Sequence, residues 1–173
     1  TRSGGTLIAM GNALNSFADK DGFSLKTKKA NDTSDTKEDT QKDNLTPFEI
    51  RERERISDLI TGSIFKSTLD NSHPLAFGYD TTYFSLKLSG TSYHYLKEGY
   101  NVGYFGANIT NVSGFAGSKA VKEVPKSLLF GVEPMGKGSV VYMVDNPLFR
   151  AFWENGKLFV ANAVFLLNSD TLK

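Results

Sequence analysis

The chain has no cysteine and only two histidines, His73 and His94, in 173 residues. Without thiols there is no disulfide framework, no thiolate zinc site and no cysteine nucleophile. The compartment stays open, because many secreted bacterial proteins also lack disulfides. Zinc held by nitrogen and carboxylate ligands needs a spaced set, and three residues beyond the histidines stand Ala76 and Lys97 instead of glutamate. No metal site is therefore expected within this chain. Charge of one sign is lacking too: 20 Lys and Arg against 19 Asp and Glu leave a net +1, which argues against nucleic acid as a partner, since counterion release needs clustered cations. The longest apolar stretch, residues 158–167, falls far short of the ~20 residues of a membrane span. No basic, apolar leader opens the chain. Thr1-Arg2-Ser3-Gly4-Gly5 reads as the interior of a domain, so the expectation is a piece of a longer polypeptide.

An apolar content of 39% suffices for one domain with a real core. Its most informative segment is Gly5-Thr6-Leu7-Ile8-Ala9-Met10 running into Gly11-Asn12-Ala13-Leu14-Asn15. The apolar run reads as a buried parallel strand, Gly11 permits a sharp turn, and Leu14 and Phe17 mark an amphipathic helix. Such a turn holds a nucleophilic Ser or Cys above a sheet. Here Gly11, Asn12 and Ala13 fill it, so the architecture lacks the reactive atom and points to a binding or structural role.

Residues 26–46 hold almost no apolar side chain and read as a disordered loop insertion. Thr46-Pro47-Phe48-Glu49 is a capping box with proline at the first helical position. The helix it opens runs through Ile50 and Ile56, with Glu49 placed to pair with Arg53 and residues 51–55 as its solvated face. Period-two patterning then predicts strands at 63–69, 83–88, 102–105, 127–132 and 139–144, with short strands and turns across 99–117. From Asn146-Pro147 the helical period returns through Phe149, Phe152, Trp153, Leu158, Phe159, Ala163 and Leu166. Helices at both ends of a strand region favour an α/β fold in a single domain, 1–173.

The motifs that suggest chemistry are incomplete. Gly131-Val132-Glu133-Pro134-Met135-Gly136-Lys137-Gly138 misses a P-loop at its last position and precedes a strand, so it reads as a hairpin turn. Asp70, Ser72 and His73 lie on one loop and cannot aim at a common atom as a triad; His73 is expected to hydrogen-bond its own loop. Asn108-Ile109-Thr110 and Asn111-Val112-Ser113 are glycosylation sequons, meaningful only in a eukaryotic secretory pathway. Arg150 and Trp153, one turn apart, form either a cation–π or carboxylate-binding pair or a packing and capping device. Asp70, His73, Arg150 and Trp153 are the candidate ligand- or partner-binding residues.

The block Gly136-Lys137-Gly138-Ser139-Val140-Val141-Tyr142-Met143-Val144-Asp145-Asn146-Pro147-Leu148-Phe149-Arg150-Ala151-Phe152-Trp153, with Leu158-Phe159 and Asn162-Ala163, resembles the end of bacterial multidomain zinc carboxypeptidases of the carboxypeptidase A type, especially those of Bacteroidetes. Ser3-Gly4-Gly5-Thr6-Leu7-Ile8 and Asp70-Asn71-Ser72-His73-Pro74-Leu75-Ala76-Phe77-Gly78 fit the same region. The resemblance implies a class I glutamine amidotransferase-like domain, a flavodoxin-like α/β sandwich, here N-terminally incomplete with additional short strands in its middle. In active amidotransferases the elbow supplies a cysteine, where Gly11 stands here, and a His-Pro-Glu turn supplies the base, where Asp145-Asn146-Pro147 stands. Both catalytic positions are thus degenerate. The resemblance further implies zinc in an upstream peptidase module, that module as the partner, and an extracellular or periplasmic location. The function implied is a non-catalytic accessory domain that docks or regulates the peptidase. The alternatives are a freestanding carbohydrate- or peptide-binding module using the aromatic loops at 93–95 and 100–105, and a hydrolase using Asp70 and His73.

Overall fold

The structure, a computed structural model, describes residues 1–28 and 47–167. These form a mixed α/β arrangement of seven strands and two α-helices: β1 (Thr6–Met10), α1 (Phe48–Ser57), β2 (Ile60–Leu69), β3 (Thr82–Lys87), β4 (Tyr100–Phe105), β5 (Thr110–Ala116), β6 (Ser127–Met135), β7 (Gly138–Met143) and α2 (Glu154–Phe165). All strands join one sheet in the order β1-β7-β6-β4-β2-β3, with β5 also beside β2. The β1–β7 pair is parallel, in register from Thr6 opposite Ser139 to Met10 opposite Met143. The other pairings, β2 with β3, β4 and β5, β4 with β6, and β6 with β7, are antiparallel.

The sheet curls. β3 and β7 are well separated in the strand order, yet Ser85 Oγ of β3 donates to Asp145 Oδ2, just past β7, at 2.7 Å. Inside the curl α2 lays Phe159 against Tyr79, Tyr83 and Phe130, with ring centroids 4.1, 5.1 and 4.1 Å apart. On β7, Val141 and Met143 face this core, while Val140 and Tyr142, with Val144 just past the strand, face a second one built with Leu14, Leu25 and Leu128. The strand is buried on both faces, as its unbroken apolar run requires.

The near-P-loop segment is the β6–β7 hairpin, with Met135 opposite Gly138 and a two-residue loop between them. Gly136 sits at φ +63, and a β-carbon there would lie 2.6 Å from the Arg2 carbonyl oxygen. A two-residue hairpin loop demands such a φ, so glycine satisfies both the turn and the close approach.

Several expectations need correction. β1 lies at the end of the strand order, with Leu7 exposed and only Ala9 fully buried, so it is not a wholly buried strand. The turn after it is a short 3₁₀ segment, Gly11–Ser16, that buries Leu14. α1 begins at Phe48 with Pro47 preceding it, and Ile50 and Ile56 are exposed along with residues 51–55. The segment thought disordered from residue 26 is ordered at its start: Thr27 bridges Tyr93, and Lys28 Nζ donates to the carbonyls of Glu123 and Pro125 at 2.8 and 2.6 Å. The rest of that segment, and the Thr46 of the expected capping box, lie outside the described residues. Among the described residues no helix is long and apolar enough to cross a membrane.

Candidate functional site

A cleft of about 530 Å³ opens at the carboxyl ends of β1 and β7. Its floor follows from the parallel register: Met10 pairs with Met143, so the chain segments leaving both strands emerge side by side. From the first come Gly11, Asn12 and Asn15, and from the second Val144, Asp145, Asn146 and Phe149. Leu86, Leu88, Ser89, Thr91 and Tyr93 close the other side, carried there by the curl of the sheet. In open α/β sheets this end of a parallel pair is where ligands sit. Gly11 has φ +54, the left-handed conformation that a sharp strand-to-helix turn imposes.

Gly11 and Asp145 therefore line one cleft. Asp145 is buried, and its carboxylate is fully engaged: Oδ2 accepts from Ser85 Oγ at 2.7 Å and Oδ1 from Lys87 Nζ at 3.4 Å. Lys87, only 1% exposed, also donates to the Thr91 carbonyl at 2.9 Å. Each charge compensates the other, which is the condition for keeping both out of water. Gly11 itself brings no side chain to the cleft, and the hydroxyl-bearing residues lining it are Ser89, Thr91 and Tyr93.

The other candidates lie apart from that pair. Asp70 Oδ1 accepts from the backbone N–H of Ser72 at 3.1 Å and from its hydroxyl. His73 Nδ1 accepts from the Leu75 N–H at 3.1 Å, capping the short 3₁₀ turn Pro74–Ala76. Its ring lies 5.1 Å from that of Tyr100, and its buried Nε2 has no partner. Burial holds the imidazole below its ordinary pKa, with Asp70 opposing. The triad geometry is thus absent: the aspartate serves the serine, and the histidine serves its own turn. Arg150 and Trp153 do not stack on one another. Arg150, at φ +50, sits 5.1 Å over the Phe149 ring, while Trp153 Nε1 donates to the Tyr83 hydroxyl at 3.3 Å. Burial also drives the Tyr83 hydroxyl well above its ordinary pKa.

The aromatic loops are largely committed to the fold. Tyr93 is buried and donates to Asn15 Oδ1 at 3.0 Å; Tyr95 donates to the Phe105 carbonyl at 2.6 Å. A second buried carboxylate, Glu133, accepts from Ser24 N and Oγ and from the Tyr142 hydroxyl at 2.6 Å, pinning residues 23–25 to β6. Among the described residues no group of three or more His, Asp or Glu is arranged to hold a metal ion. Sequence reasoning missed Ser85 and Lys87, because a polar residue in a strand carries no local sign that its partner is a carboxylate from a distant segment. Comparison of the chain with protein-family models, with curated proteins and with solved structures finds no match.

Proposed function

We propose that the chain is a non-catalytic, amidotransferase-like accessory domain of an exported zinc carboxypeptidase, docking or regulating the peptidase module of the same polypeptide. The observation that carries this reading is the meeting of Gly11 and Asp145 in one cleft at the carboxyl ends of β1 and β7. Those are the positions that the sequence resemblance assigns to the missing cysteine and the missing histidine. The parallel register that sets Met10 opposite Met143 brings the two positions together, which is compatible with the layout of such a site. The positive φ of Gly11 supports the same reading, since an elbow places its nucleophile in strained backbone. The flavodoxin-like relation is proposed for the β1–β7 end of the sheet, with the antiparallel strands as elaboration. Zinc belongs to the upstream module in this reading, and export follows from the resemblance.

Two measurements test it. The purified chain is expected to release no ammonia from glutamine, and the reading frame upstream of Thr1 is expected to encode a His-x-x-Glu zinc motif. Glutamine-dependent ammonia release that disappears in Asp145→Asn refutes the non-catalytic assignment. A reading frame without the zinc motif refutes the parent enzyme and favours the freestanding binding module.

A further inference from the structure

We propose that the cleft between β1, β7 and the 86–93 segment binds a neutral peptide stretch through its main-chain carbonyls. This stands on the cleft alone and does not require the parent enzyme to be a carboxypeptidase. Two of its asparagines are fixed in orientation by the fold. Asn15 Oδ1 accepts from the Tyr93 hydroxyl at 3.0 Å, and Asn146 Oδ1 accepts from the Leu148 N–H at 2.9 Å. With each amide oxygen committed, what remains for a ligand is the NH₂ group, a donor. Asn15 and Asn146 reach the cleft from its two strand-end segments, and Asn12 lies beside them, exposed.

Charge selects further. Among the described residues Asp145 is the one charged side chain lining the cleft, and Lys87 and Ser85 engage it, so none of them offers a cation or a carboxylate an unpaired counter-charge. The walls supplied by Met10, Leu86, Leu88, Val144 and Phe149 suit apolar side chains. Strong neutral acceptors flanked by apolar groups describe a peptide. A sugar would need an open aromatic face. Tyr93 is buried, and Arg150 covers one face of Phe149.

The test is a side-chain amide NMR titration of the chain with an acetylated, C-terminally amidated hexapeptide of alternating Leu and Ser, and with maltotriose. The account predicts saturable shifts of the Asn15 and Asn146 NH₂ signals with the peptide. Asn15→Asp and Asn146→Asp keep the acceptor and delete the donor, and each weakens binding about tenfold with the backbone spectrum otherwise intact. Leu88→Trp, which fills the cleft from its rim, abolishes the shifts without touching a donor. Absence of saturable shifts at millimolar peptide, unchanged affinity in both Asp variants, or tighter binding of maltotriose overturns the proposal. Glutaminase activity, by contrast, would refute the non-catalytic reading and leave these shifts in place.

Discussion

Two buried ionisable groups decide what single substitutions do. Lys87 and Asp145 are each nearly inaccessible and depend on one another. Lys87→Met strands a buried carboxylate with Ser85 as its remaining partner, and is expected to cost about 3–5 kcal/mol. The double variant Lys87→Met with Asp145→Leu removes both charges and should cost much less than the sum of the single changes. Urea unfolding of the three variants measures this, and strict additivity would show that the pair is not coupled. His73 gives a pH signature. Its folded pKa is depressed from 6.5 by burial, so between the two values the unfolded chain binds more protons than the folded one. Its contribution is therefore complete above about pH 6.5, and is lost as pH falls toward and through the folded value. His73→Asn keeps an acceptor for the Leu75 N–H and cannot titrate. Its denaturation midpoint should fall less than that of the parent between pH 7 and pH 5, and an unchanged slope would place the acid sensitivity elsewhere.

At the scale of elements, the β6–β7 hairpin and α2 are the parts most open to direct test. Gly136→Ala forces a β-carbon onto φ +63 and against the Arg2 carbonyl, and thermal melts should show a loss of roughly 1 kcal/mol or more. Phe159→Ala empties the centre of the aromatic cluster under α2 and should cost about 3–5 kcal/mol in urea unfolding. The hairpin and the strand at β7 were legible, because glycine at a turn and a two-sided apolar run have few alternative readings; β1 was legible as a parallel strand but not in its partial exposure. β3 was legible as a strand but not in its facing. Its Phe84 is 41% exposed while Ser85 and Lys87 turn inward to reach Asp145. Alternation alone points such a strand the wrong way, since the inward partner is an ion that arrives from a distant segment. α1 was legible as a helix with a solvated run at 51–55, and Ile50 and Ile56, six residues apart and so on different faces, are exposed as well. At the site, Gly11 and Asp145 were named from the resemblance, but the curl that supplies Lys87 is a tertiary fact with no local pattern.

For the whole molecule, the open side of β1 matters most. β1 pairs with β7 on one side only, and among the described residues no strand covers the other, where a row of backbone N–H and C=O groups remains. Such an edge recruits another strand. In the proposed setting that strand belongs to the preceding part of the same polypeptide, so the edge and the accessory role are one claim. It also follows that the isolated chain should self-associate at high concentration, and that Ile8→Pro, which removes a β1 backbone N–H and bends the strand, should change that tendency. The most direct measurement is sedimentation velocity of the purified chain, alone and mixed with the separately expressed upstream region. The account predicts concentration-dependent self-association alone and a single 1:1 species in the mixture. A soluble monomer at all concentrations, unchanged by the upstream region, would contradict it.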